Sequence, residues 1–235
     1  MFNQPLDPTD LMLVILTLAA FYLALIINKK MAPILLLHPL LIAIAMVIMV
    51  LWYLDIPYSN YLQSNQLFQW LIGPAVVSLA IPLRQNLHLI RQWLAPILVT
   101  IAVSISTATC IIWAFTYVFE IPLHTQVALS TKFVTTPIAL SINEILNGKL
   151  ALAASLVMIT GIIGAILGPL LLPLVGIKDE RIKGVALGLT SHVIGTQKAF
   201  EISPLCGAFA ALTMSLTGII SALVLPLLIH LLIQQ

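Results

Sequence analysis

Five stretches of this sequence continue for about the width of a membrane with no Asp, Glu, Lys or Arg: Leu11 to Ile27, Pro33 to Leu54, Leu94 to Phe119, Leu150 to Val175 and Leu205 to Ile233. A hydrocarbon core takes about 20 apolar residues of helix to cross, so these runs commit the chain to a bilayer. The remainder leaves no material for a water-facing surface. The chain is 61% hydrophobic and 8% charged, against roughly 25% charged residues in a soluble domain. Its mean hydropathy is +1.13. The length suits one compact domain, residues 1–235.

The net charge of +2 comes from basic residues scattered singly or in short clusters. They form no stripe of the kind that binds nucleic acid. Cys110 and Cys206 lie far apart in apolar surroundings, with no CxxC pair and no metal-ligand spacing. They are expected to be packing residues, and neither a metal nor a cofactor is expected. The first apolar run ends at Ile27 with no small-residue cleavage site, so it is expected to be retained as a span.

Three further segments are apolar but interrupted: Phe68 to Leu83 by Gly73-Pro74 and Pro82, Val127 to Ile145 by Pro137, and Gly184 to Phe200 by Gly188 and Gly195. Non-helical backbone persists at membrane depth only where protein buries it or where it lines a cavity, so such breaks mark candidate sites. The expected fold is an all-α integral membrane protein, a polytopic helical bundle. It has five long spans plus three short broken or re-entrant helices. In the span over Leu150 to Val175, Gly161, Gly164 and Gly168 have the small-residue spacing that admits a close neighbour. Ile72-Gly73 and Ile194-Gly195 form a weak internal match that would pair the two halves as structural repeats around a central site.

Lys29-Lys30, Arg84 with Arg91, and Lys178, Arg181 and Lys183 stand against loops near Asp55 and Glu120 that carry no basic residue. By the positive-inside rule the basic loops are cytoplasmic. All three fall on that side only if the segment from Val127 to Ile145 dips in and returns.

The polar residues concentrate in the breaks. Ser130-Thr131-Lys132-Phe133-Val134-Thr135-Thr136-Pro137 is the densest cluster. Read as helix, it puts Lys132, Thr135 and Thr136 on one face before a proline that leaves an upstream carbonyl without its donor. One ammonium and two hydroxyls suit a small carboxylate carrying hydroxyl groups. The plainer reading is a lysine snorkelling to the interface beside back-bonded threonines. An ionisable group at membrane depth costs roughly 2.5 to 3.5 kcal/mol and is by default a functional candidate.

The second cluster is Thr190-Ser191-His192-Val193-Ile194-Gly195-Thr196-Gln197-Lys198, ending in Glu201. His192 and Thr196 are one turn apart, and a histidine there could serve an anion or a proton. The bland alternative is a satisfied core histidine. Lys198 and Glu201, three apart, fit a local ion pair as well as a site. Gly73-Pro74, with Pro82, reads as a short helix whose free amides face an anion, or as a tightly packed gate element. No Gly-x-Ser-x-Gly elbow, His-Glu-x-x-His or Walker loop is present, so no enzyme is expected and energy must come from a gradient or a partner.

Lys132-Phe-Val-Thr-Thr-Pro-Ile-Ala139 and Ser191-His-Val-Ile-Gly-Thr196 resemble the paired signatures of the LrgB/CidB family. The element Gly73 to Val77 and the total length agree, so the resemblance covers essentially the whole chain. It implies a multi-pass protein of the bacterial inner membrane and two rival functions. The first is transport of small carboxylates of the glycolate, glycerate or pyruvate type, as in plastid relatives. Here Lys132, Thr135, Thr136, Pro137, Ser191, His192, Gly195, Thr196 and Lys198 bind substrate, and Gly73 and Pro74 form a gate or helix break. The second is an antiholin-like modulator of murein hydrolase activity and autolysis. The implied partners are membrane lipid, a small membrane protein of the LrgA/CidA type and further copies of the chain; nucleic acid is not among them. Phe133, Lys198 and His38 depart from the family's usual serine, arginine and asparagine, so the fold is inherited more safely than the substrate. Arginine grips a carboxylate bidentately and lysine does not.

Overall fold

The structure is a computed structural model and describes residues 7–31, 39–78 and 80–233. Eleven helices occur among them, with no strand: α1 (Pro8–Met31), α2 (Pro39–Tyr53), α3 (Tyr58–Ser64), α4 (Gln66–Ser78), α5 (Ala80–Gln85), α6 (Leu87–Val118), α7 (Leu123–Ser130), α8 (Thr136–Ile145), α9 (Leu150–Leu174), α10 (Glu180–Ile202) and α11 (Pro204–Ile233). Four of these, α1, α6, α9 and α11, are long and apolar enough to cross a membrane. Side chains such as Val99, Val103, Ile159, Ile163 and Leu223 lie exposed on them. That is unfavourable against water but suits lipid, and the chain is a multi-pass helical membrane protein.

The chain divides into two compact units, Met1–Ser78 and Leu79–Gln235. In the first, Thr17 on α1 bonds the Tyr61 hydroxyl (2.9 Å) and donates to Asn65 Oδ1 (3.0 Å), tying α1 to the end of α3. One expectation is met in part here and one is corrected. The run from Pro33 to Leu54 forms a helix of 15 residues over Pro39–Tyr53, about 22 Å long, so the described part is shorter than a full span; residues 33–38 lie outside the described residues. Gly73-Pro74 is also no helix start or break, because α4 begins at Gln66 and continues through Pro74. A proline inside a membrane helix leaves one carbonyl without its donor, and that loss is absorbed locally without ending the helix.

In the second unit α6 buries one ridge, Ile90, Ile97, Ile101, Ile105, Thr109, Ile112 and Thr116, at helical spacing. Ile90, Ile97, Ile101 and Ile105 pack with Phe209, Leu225 and Ile229 of α11 and with Val127 of α7. Trp93 near the start of α6 meets Phe209 edge-on at 6.5 Å and carries the Arg181 guanidinium on its face at 4.4 Å. The starts of α6, α10 and α11 therefore share one end of this unit. At the other end Trp113 Nε1 donates to Ser130 Oγ (3.1 Å) and joins α6 to α7.

Two helical hairpins fill the space between these ends. α7 rises, loosens over residues 131–135, and α8 returns. Lys149 N donates to His124 O (3.3 Å) and closes the base. This is the dip-and-return expected from the charge pattern. α10 is interrupted at His192, whose backbone (φ 43, ψ −122) belongs to no helix. Its second arm, 193–202, folds back on its first arm, 180–191. Ser203 Oγ consequently donates to Glu180 Oε2 (2.6 Å), and a side chain at Gly195 would strike the Leu187 carbonyl.

The expected repeat is thus drawn in the wrong place. Gly73 lies inside α4, whereas Gly195 lies on a hairpin arm next to its reversal. What recurs is a long span followed by a helical hairpin: α6 with α7–α8, then α9 with α10.

Candidate functional site

The hairpins enter from opposite ends and their tips meet near mid-depth. Along α9, a side chain at Gly168 would meet Leu187, one at Gly164 would meet Ser191, and one at Gly161 would meet the His192 ring at 3.2 Å. Descending numbers on one helix against ascending numbers on the other mean antiparallel packing, and Gly161 stands near the middle of Leu150–Leu174. α11 gives a second ruler. Gly184 packs on the Cys206 carbonyl and Gly188 on that of Ala210, so His192 lies about level with Met214. Close approach at these glycines sets the depth of the break.

The tips are joined directly. His192 is 3% exposed, and its Nε2 lies 2.9 Å from the carbonyl oxygen of Lys132. A carbonyl can only accept, so Nε2 carries the proton and donates; in the neutral ring Nδ1 is left as the acceptor. A non-glycine residue at φ 43 is strained, a cost of order 1–3 kcal/mol that persists where surrounding contacts impose it and that gathers at functional sites.

Lys132 is not on a helical face with Thr135 and Thr136, contrary to expectation. α7 is capped at Thr131, Lys132 N and Val134 N close turns onto the carbonyls of Leu129 and Thr131, and Thr135 (φ −68, ψ 152) is extended. Pro137 favours the break: it sits in the first turn of α8, where its missing N–H costs nothing, and its ring disfavours a helix passing through residue 133. The three residues still stand together at one tip. Lys132 is part-buried, its ammonium lies 5.5 Å from the Phe133 ring centroid, and among the described residues no carboxylate pairs with it.

Each break also opens a helix N-terminus. Thr135 is the N-cap of α8 without a side-chain hydrogen bond, and the second arm of α10 starts at residue 193. The first amides of a helix have no partner within it and form a positive end. Two such ends, the Lys132 ammonium and the buried hydroxyls of Ser191 and Thr196 thus gather near the tips. Ser191 Oγ and Thr190 Oγ1 are 3.1 Å apart, and Thr196 Oγ1 has the weak thioether of Met214 as its partner (3.6 Å). The arrangement suits a small anion.

Other expected residues fall elsewhere. Lys198 donates to Glu201 Oε2 at 2.7 Å, both side chains well exposed at 39% and 56%, so this pair takes the local ion-pair form. Gly195 shapes the hairpin by close approach, and Gly73 and Pro74 lie in the first compact unit, within α4. Sequence reasoning missed Asn143, fully buried, whose Nδ2 donates to Thr131 Oγ1 and to Ala139 O at 2.8 Å each and so ties the two arms of the first hairpin. It also missed Thr217 and Ser221 of α11, buried hydroxyls with no partner among the described residues. A single polar residue in an apolar run gives little signal of its own.

A family model described as the LrgB-like family matches residues 17–231. The chain is 32% identical over 221 residues to "Uncharacterized protein YxaC" of Bacillus subtilis, covering 94% of this chain and 96% of that one. It is 30% identical over 219 residues to "Holin-like protein CidB" of Staphylococcus epidermidis, covering 93% and 95%. An uncharacterized Haemophilus influenzae protein is 30% identical over 221 residues, covering 90% and 91%. No solved structure matches.

Proposed function

The chain belongs to the LrgB-like family, and we propose that it is a secondary transporter of small carboxylates, of the glycolate, glycerate or pyruvate type, in the bacterial inner membrane. The observation that carries this reading is the junction of two helix breaks through His192 and the Lys132 carbonyl, beside an ammonium with no carboxylate partner among the described residues. Discontinuous helices whose N-terminal ends converge at mid-depth are the usual way a membrane protein presents dipoles to an anion. A protein that only oligomerises gains nothing from strained backbone and ionisable groups there.

In this reading Lys132 attracts the carboxylate, and the amides at the start of α8 and of the second α10 arm bond its oxygens. Ser191, Thr196, Thr135 and Thr136 supply hydroxyls. His192 holds the tips together and offers Nδ1 to a proton. Radiolabelled uptake into proteoliposomes is the test: saturable flux of glycolate or pyruvate is expected, and it is lost in Lys132→Ala and His192→Ala. Flux that persists unchanged in both variants removes these residues from the site.

The name of the Staphylococcus relatives, holin-like, favours a second reading, a modulator of murein hydrolase activity acting with a small LrgA/CidA-type membrane protein. Deletion strains separate the two. Altered autolysis with normal uptake and release of the acids supports modulation and not transport.

A further inference from the structure

We infer that α11 supplies a third wall of the site, in which Thr217 and Ser221 recognise an oxygen on the α carbon of the carboxylate; this rests on the carboxylate reading above.

Two hydroxyls of α11 behave abnormally for their helix. A buried Ser or Thr in a helix ordinarily satisfies itself on the carbonyl four residues back. On α11 Thr213 does so with Phe209 O (2.8 Å) and Ser215 with Ala211 O (2.8 Å). Thr217, 1% exposed, and Ser221, 0% exposed, do not, and neither has another partner among the described residues. Buried polar atoms nearly always have one, so a pair one turn apart marks a place where something else bonds.

Register puts that place beside the hairpin tips. Ala210, Met214, Thr217 and Ser221 follow at intervals of four, three and four, a single stripe at about 100° per residue. Ala210 packs against Gly188 of the first α10 arm, and Met214 accepts from Thr196 of the second. Thr217 is one turn further along, about 4.5 Å past the tip level. The first turn of α8 arrives at the same height, since a Cβ at Gly218 would stand 2.9 Å from Ile138 Cδ1. Both hydroxyls therefore continue the face of α11 that meets one break; Thr217 lies at the level where α8 begins after the other, and Ser221 lies one turn beyond it.

The chemistry divides accordingly. Lys132 and the helix N-termini are cationic and match the carboxylate. Thr217 and Ser221 are neutral, and each donates and accepts, so they match a hydroxyl or a keto oxygen on the neighbouring carbon. An acid with only hydrogens there leaves both hydroxyls desolvated and unpaired. A site built to bond a substrate hydroxyl rejects such an analogue strongly.

The test is saturable uptake of labelled glycolate and acetate into proteoliposomes of the whole chain, together with the glycolate-induced Tm shift in detergent. Thr217→Val and Ser221→Ala are expected to raise the glycolate KM about tenfold or more and to shrink its Tm shift. The Tm without ligand stays unchanged or rises, because an unpaired buried hydroxyl is removed. Glycolate is preferred over acetate in the wild type, and the preference falls in the variants. A glycolate KM and Tm shift equal to wild type overturn the assignment, as does an equal loss for both acids accompanied by a lowered ligand-free Tm. A wild type that shows the glycolate Tm shift but no flux overturns the transport reading and leaves the α11 assignment standing. No shift in the wild type overturns the assignment itself.

Discussion

His192 Nε2 donates to the main-chain carbonyl of Lys132 at 2.9 Å, a bond between residues 60 apart that joins the tips of two helical hairpins entering from opposite ends. Removing the ring leaves the Lys132 carbonyl without this donor near the centre of the fold. His192→Ala is therefore expected to destabilise by about 1–3 kcal/mol and to abolish flux. Thermal unfolding in detergent, run beside the uptake assay, reads both effects.

Lys132 presents the opposite case. Its ammonium has no carboxylate partner among the described residues and its side chain is part-buried, so the folded state gains little from its charge. Lys132→Gln is expected to keep the wild-type Tm while raising the KM for glycolate by about tenfold or more, the loss of one charge-assisted contact. A large drop in Tm with unchanged KM contradicts this.

Gly188 and Gly176 contrast space with conformation. A side chain at Gly188 would enter the Ala210 main chain, which has no rotamer by which to yield. Gly188→Ala should thus push α10 off α11, costing about 1–3 kcal/mol by overpacking and disturbing the depth of the break. Gly176 (φ +82) has open space around it, so Gly176→Ala meets only backbone strain, about 1 kcal/mol. Unfolding curves of both variants, with uptake measured for each, should show a transport defect for Gly188→Ala alone.

Lys198 is expected to be dispensable. Its partner is Glu201 on an exposed face, and such pairs contribute about 0–1 kcal/mol. Lys198→Ala should transport at the wild-type KM; a raised KM would return this lysine to the site.

The base of the second hairpin carries a pH dependence. Asp179 caps α10, accepting from Arg181 N at 2.8 Å, and hydrogen bonds from the Arg181 side chain hold its carboxyl down at about 2. The unfolded value is about 3.9. A depressed folded pKa contributes stability that is fully present above the unfolded value and lost as pH falls through the folded one. Both side chains remain about a third exposed, at 31% and 32%, so solvent screens the pair and the effect is small. Unfolding midpoints from pH 5 down to pH 2 should fall less steeply in Asp179→Asn than in the wild type.

The sequence by itself determined that the chain lives in a membrane, that it is helical, and that its polar residues gather in the interruptions. Each of these depends on local quantities, namely run length, charge and proline. Pro137 reveals the break before α8 because a proline acts on its own turn. The second break could be assigned only to a region, since the reversal occurs at His192 and not at the glycines on either side. His192 adopts a backbone that it does not prefer locally, imposed by Gly161 and Gly164 on α9 and by the Lys132 carbonyl.

Tertiary structure alone decided the rest. Gly73-Pro74 resembles a break yet stays inside α4, and Lys132 leaves the helical face that its spacing suggested. Thr217 and Ser221 look like incidental polar residues in an apolar run until their register against Gly188 and Thr196 places them beyond a hairpin tip. The reason is common to all of them. A span is selected by its free energy of transfer into lipid, a sum over its own residues, whereas a site at mid-depth is selected by which breaks come to face one another, and that depends on contacts between residues far apart in the chain.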